Sequence, residues 1–172
     1  MKKIWTAVTA ATMILAAGAA QAADESAIYG AVGVGMADGD HAAYKRDGSQ
    51  LSVGYSLGYR FNENYGVEVF TRALEFKMIG LRRDFEYPDS HVGVAAVGRL
   101  PVAKMLSLSA RVGLGRTKMS REDGVNPSDK TTFSAGVGAA LEFGRNVALT
   151  TGVERYAGIN TSVWLINWQL SY

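Results

Sequence analysis

The chain has 172 residues, with 18 Lys and Arg against 16 Asp and Glu and no cysteine. That length suits one domain better than two, and without cysteine there is no disulfide framework, so an exported chain of this size must rely on an extensive hydrogen-bonded fold. The small net charge lacks the basic footprint of a nucleic-acid binder, and beyond the N-terminus no apolar run approaches the roughly 20 residues of a membrane-spanning helix.

The first element is a leader. Lys2 and Lys3 precede an apolar run from Ile4 to Ala17, and Ala20-Gln21-Ala22 closes it. A basic start, a short apolar centre and an A-x-A end are the parts of a secretory signal peptide. Cleavage is expected after Ala22, dividing the chain into a signal peptide (1–22) and one mature domain (23–172). The two lysines lost are the whole positive excess, so the mature chain is near neutral.

Eight segments of alternating residues follow, each ended by turn chemistry. Ala27 to Met36 sets Ile28, Val32, Val34 and Met36 against Tyr29, Ala31, Gly33 and Gly35. Leu51 to Phe61, LSVGYSLGYRF, is apolar at every odd position and small or polar at every even one, ending in Arg60. Tyr65 to Phe76 opposes Val67, Val69 and Thr71 to Glu68 and Arg72, with Phe70 and Leu74 breaking the pattern. His91 to Leu100 sets Val92, Val94 and Ala96 against Gly93, Ala95 and Arg99. Leu106 to Arg116, Thr131 to Phe143 and Val147 to Tyr156 continue the alternation, with Arg111, Glu142 and Glu154 on their polar faces. The eighth segment runs from Thr161 to Tyr172. Period-two alternation sends the two sets of side chains to opposite faces of a strand.

The connections alternate in length. Asn62 to Asn64, Pro101 to Lys104 and Gly144 to Asn146 are tight turns, whereas Ala37 to Ser49, Lys77 to Ser90 and Ser120 to Lys130 are long and charged; the last, Ala157 to Asn160, is shorter. Segments of this length and alternation, with short turns on one rim and long loops on the other, are the signature of an outer-membrane barrel. The expected fold is therefore all-β: an eight-stranded antiparallel transmembrane up-and-down barrel. Backbone polar groups in lipid must be paired within the protein, so the sheet must close. Eight strands leave an interior that side chains fill. The glycines make room there, and parity places four arginines (Arg60, Arg72, Arg99, Arg111) and three glutamates (Glu68, Glu142, Glu154) inside, where pairing would neutralise a confined space.

Other features point to no cofactor, metal or catalytic centre. GAVGVG at Gly30 to Gly35 is followed by neither a helical pattern nor a phosphate-binding lysine. His41 falls in a loop and His91 at the outer end of a strand, where a surface or rim role is expected. Ser90 and His91 are the only adjacent pair resembling nucleophile and base, and strand neighbours point to opposite faces.

The last strand, SVWLINWQLSY, places Trp164, Ile166, Trp168, Leu170 and Tyr172 on one face and ends on an aromatic residue. It resembles the terminal signal read by the barrel assembly machinery of Gram-negative bacteria. GYRFNENYGVEVF is similar to the second hairpin of small barrels related to the transmembrane domain of outer membrane protein A and to OmpX. The resemblance implies the bacterial outer membrane, outer-membrane lipids and lipopolysaccharide as surroundings, and periplasmic chaperones and the assembly machinery as partners during biogenesis. Wall anchoring by a peptidoglycan-binding domain after Tyr172 is not expected. The function implied is non-enzymatic: envelope integrity, or contact with a host or cell-surface ligand through loops bearing Lys45, Arg46, Arg82, Arg83 and Arg121. The alternatives are a lipid A-modifying enzyme and a narrow small-solute channel.

Overall fold

The computed structural model describes residues 27–39, 49–74, 87–120, 128–144 and 146–172. Its strands are β1 (Ala27–Gly39), β2 (Gln50–Arg60), β3 (Tyr65–Ala73), β4 (Tyr87–Ala103), β5 (Leu106–Ser120), β6 (Lys130–Phe143), β7 (Val147–Ala157) and β8 (Thr161–Ser171). Each pairs antiparallel with its sequence neighbours, and β8 returns to β1 to close the barrel. Closure leaves no strand edge unpaired, which is the condition for a sheet to stand in lipid.

Cross-strand partners can be followed around the wall. Ala27 lies opposite Arg60, and the row continues through Gly66, Val97, Arg111, Gly136, Glu154 and Val163 to Ala37, ten residues further along β1. A shear of ten with eight strands tilts them by about 40° to the axis. The row therefore climbs as it circles, so that Arg60, Arg111 and Glu154 occupy successively higher levels of the same lumen.

The short turns share one rim, called the lower one here. In the first, the Asn62 side-chain oxygen accepts from the backbone N–H groups of Asn64 (2.9 Å) and Tyr65 (2.8 Å), holding the chain reversal. The hairpin from β7 to β8 is on the opposite rim and turns through Gly158 and Asn160, both at positive φ (89° and 53°), where glycine and asparagine are the residues that fit.

The outer wall is apolar. Val137 is 70% exposed, and Leu57, Val94, Val112 and Ile166 share that face. Tyr59, Tyr65, Phe143 and Tyr172 stand on it near the lower rim, with Phe133 near the upper one. Such a surface suits hydrocarbon with aromatic residues at its borders.

β1, β4 and β5 run well past the alternation, β1 reaching Gly39 in what was expected to be loop. β4 starts at Tyr87 because Tyr87 and Pro88 turn inward and are buried, and a register shift between Pro88 and Ser90 accommodates the missing proline N–H. β5 continues to Ser120 opposite it. Pro101, expected in a turn, still belongs to β4, beside a second irregularity, and the reversal is made by Lys104 and Met105. The leader and most of the long loop segments lie outside the described residues, as do His41 and the loop cations Lys45, Arg46, Arg82, Arg83 and Arg121.

Candidate functional site

The lumen contains two differently built halves. The upper half is closely packed. Phe70 and Leu74, which break the alternation of β3, are both inward and buried, and they pack with Met119, Tyr156, Ile159 and Val163 into an apolar cluster. His91 is also here and fully buried, not at the surface or rim as its position suggested. The extension of β4 to Tyr87 explains the correction: His91 is an interior strand residue, and its parity matches that of Gly93 and Ala95, both inward. Its ring stacks on Phe70 at 5.3 Å between centroids and meets the Tyr156 ring edge at 4.9 Å.

A chain of hydrogen bonds holds the His91 ring. Its Nδ1 lies 2.8 Å from Thr117 Oγ1, which is in turn 2.8 Å from Thr132 Oγ1. The other ring nitrogen, Nε2, has no hydrogen-bond partner among the described residues and faces the backbone of Gly93 and Gly115. The histidine is thus held by neighbours that neither form a catalytic set nor converge on a metal. Among the described residues no three His, Cys, Asp or Glu side chains are grouped to hold one.

Beneath this cluster lies a network of four charges. Arg72 Nε is 3.4 Å from Glu154, Arg111 is 2.6 Å from Glu68, and Arg111 also pairs with Glu154. Tyr156 donates to Glu154 (2.6 Å) and Tyr29 to Glu68 (3.2 Å). Both guanidinium carbons approach the Phe70 ring, Arg111 at 4.1 Å and Arg72 at 5.0 Å from its centroid. Two cations and two anions, sharing hydrogen bonds and an aromatic face, offset the cost of desolvating them. Sequence parity placed these residues inside; it gave no sign that Phe70 and Tyr156 belong with them.

The lower half is less completely filled and its charges are arranged differently. Arg99 pairs with Glu142 and donates to Ser107 (3.0 Å), whose hydroxyl also donates to Glu142. Arg60 instead donates to the Ser171 hydroxyl (2.7 Å) and lies 5.6 Å from the Tyr29 ring centroid. No ion pair joins it to a carboxylate among the described residues. Between these groups and the upper network is a cavity of about 140 Å³, lined in part by Ser56, Ser109, Thr150, Asn167 and Gln169.

The remaining sequence-derived residues lie on the outer wall. Trp164, Ile166, Trp168, Leu170 and Tyr172 are all exposed outward, while Val163 and Leu165 on the opposite face of the strand are buried. At the upper rim Arg116 pairs with Asp129 (2.9 Å) and Lys118 approaches Asp89 (3.9 Å), marking where the wall leaves the apolar band.

This architecture is shared with solved structures. The chain is similar to the N-terminal β-barrel domain of Pseudomonas aeruginosa OprF (12% identity, 86% of this chain and 97% of that one, TM-score 0.60). It is also similar to Neisserial surface protein A (15%, 86% and 97%, 0.55) and to Ail, the attachment invasion locus protein of Yersinia pestis (19%, 86% and 97%, 0.54). At these identities the likeness is one of fold. No curated protein sequence matches the chain. The profile of the outer membrane protein beta-barrel domain matches residues 7–172, nearly the whole sequence. Closed eight-stranded wall, lipid-suited exterior and family match agree, and the chain belongs to the outer membrane protein beta-barrel domain family.

Proposed function

We propose that this chain is a non-enzymatic surface barrel of the outer membrane, serving envelope integrity or contact with external ligands through its extracellular loops. The observation that carries the reading is the filling of the upper lumen: Phe70, His91 and Tyr156 sit above the Arg72–Glu154–Arg111–Glu68 network. A lumen closed in this way supports a structural barrel over a channel, and the hydroxyl that His91 meets, that of Thr117, is buried with it among the described residues.

The remaining parts of the reading concern its surroundings. Residues 1–22 are removed on export, leaving Ala23 as the mature N-terminus. The face bearing Trp164, Trp168 and Tyr172 is engaged by the barrel assembly machinery during insertion, after periplasmic chaperones have carried the unfolded chain. Lipopolysaccharide surrounds the upper wall. The loops carrying Lys45, Arg46, Arg82, Arg83 and Arg121 contact an anionic surface or ligand. The existence of an Ail structure in complex with the heparin analogue sucrose octasulfate makes sulfated polysaccharide a sensible first probe.

The test is binding of the purified mature barrel to lipopolysaccharide, heparin, matrix proteins and whole cells, alongside planar-bilayer recording and lipid A mass analysis. Loop-dependent binding with negligible conductance and unaltered lipid A is the expected result. A discrete single-channel conductance, or a lipid A mass change, would replace this reading with one of its alternatives.

A further inference from the structure

The charges of the lumen divide unevenly. In the upper network Arg72 and Arg111 meet Glu68 and Glu154, two against two. In the lower half Arg60 and Arg99 meet Glu142 alone, and Glu142 is committed to Arg99 and Ser107. Arg60 and Arg99 line one cavity, so two like charges share a confined space, and Glu63 on the turn outside is exposed to solvent. A buried Nε without a hydrogen-bond partner among the described residues is common to all four lumen arginines, Arg60, Arg72, Arg99 and Arg111, so the lower pair is set apart by its charge count and its cavity.

Both arginines line the 140 Å³ cavity, which reaches the lower rim at Asn64 and Tyr65. The space is large enough for several waters or for one small ion with some of its hydration. All four members of the upper network, Glu68, Arg72, Arg111 and Glu154, line it from above, and the buried Phe70, His91 and Tyr156 lie beyond them. Donors other than guanidinium surround it: Asn167 donates to Thr150 (3.1 Å), and Ser109 and Gln169 add a hydroxyl and an amide. A confined pocket with one cation in excess, two repelling guanidiniums and hydroxyl and amide donors has the chemistry of an anion site.

We propose that the lower lumen is a periplasm-facing seat for a small oxyanion of the phosphate or sulfate type, bound between Arg60 and Arg99. The anion supplies the charge that the lower half lacks and relieves the repulsion between the two guanidiniums. Binding at this dead-end site is independent of any loop ligand and does not require conduction. The phosphate can come from free inorganic ion or from a phospholipid headgroup at the inner rim; the closed wall and the depth of the cavity favour the free ion.

The test follows the arginine Nε–H resonances of the full mature barrel, labelled with nitrogen-15 and folded in a sugar-based detergent free of phosphate. Titration with inorganic phosphate should shift the Arg60 and Arg99 signals saturably and leave Arg155, on the outer wall, unmoved. Arg60→Gln should weaken phosphate binding at least tenfold, while Arg60→Lys should stay within a few-fold of the parent. Glu142→Gln, which releases Arg99 from its competing carboxylate, should tighten binding several-fold, a gain that a misfolded variant does not produce. Shifts that rise linearly with phosphate, that include Arg155 equally, or that persist in Arg60→Gln would overturn the proposal. A response to phosphatidylglycerol micelles without any response to inorganic phosphate would also overturn the free-ion site, placing a headgroup at the rim instead.

Discussion

The upper and lower halves of the lumen are made from the same residue types and reach opposite solutions. Above, guanidiniums and carboxylates are matched in number, capped by the buried Phe70, His91 and Tyr156, and border the cavity only from its upper side. Below, one guanidinium has only a hydroxyl and an aromatic face for company, and a cavity remains beside it. The difference shows that interior charge in a small barrel is not one device. A sealed, balanced network holds the wall together, since each member left alone would be a buried charge. An open, unbalanced cluster can exchange its partners with water and ions.

The strongest way to break the comparison is at Arg111, which touches both Glu68 and Glu154. Arg111→Leu leaves Glu68 with only the Tyr29 hydroxyl and Glu154 with one guanidinium in place of two, and should cost about 3–5 kcal/mol, the scale for breaking a buried pair. Urea unfolding of the barrel in vesicles measures it, and an unchanged midpoint would mean that the upper network is not structural. Next comes the wall itself. Val137 points outward near the middle of β6, so Val137→Arg should cost roughly 2–4 kcal/mol for placing a charge in hydrocarbon. Folding into vesicles as complete as that of the parent would reverse the two faces.

A smaller effect is expected on the other side of the same strand. A side chain at Gly136 would bring its Cβ to 2.7 Å from the Val153 carbonyl oxygen and 2.9 Å from Glu154 Cγ. A polar lumen alone would make Gly136→Ser nearly harmless, but here the wall backbone stands in the way. A loss of about 1–3 kcal/mol follows from overpacking, read from the same unfolding curves. The smallest effect belongs to Arg60. Because its partners are Ser171 and the cavity, Arg60→Gln should change stability by less than about 1 kcal/mol, in the range of a neutral hydrogen bond. A loss as large as that of Arg111→Leu would erase the distinction between the halves.

Much of this was legible in the sequence, for a definite reason. Alternation reports which face of a strand is oily, and lipid enforces that face on every strand, so LSVGYSLGYRF and its counterparts announced strand, face and closure together. The inward placement of Arg111, Glu68 and Glu154 follows from parity alone. What parity cannot express is a lumen that is itself partly apolar. Phe70 and Leu74 read as faults in β3 because an oily residue on the inner face carries no lipid signal, yet they form the seal. His91 was misplaced because the strand was read as starting there, and Tyr87 and Pro88 gave no alternation to extend it. Which arginine lacks a carboxylate was equally hidden. It depends on register and tilt around the whole barrel, which set Arg60 beside Ser171 and Arg111 between two glutamates.

The most direct measurement of the division between the halves uses the absence of native cysteine. Single cysteines replacing Ser109 and Thr150, which line the lower cavity, and Ser134 and Thr132, which are buried above it, can be exposed to a small sulfonated thiol reagent in the folded barrel. Ser109→Cys and Thr150→Cys should react from the periplasmic side, whereas Ser134→Cys and Thr132→Cys should stay unmodified until the barrel is unfolded. Equal labelling at all four positions would contradict a sealed upper lumen above an open lower one.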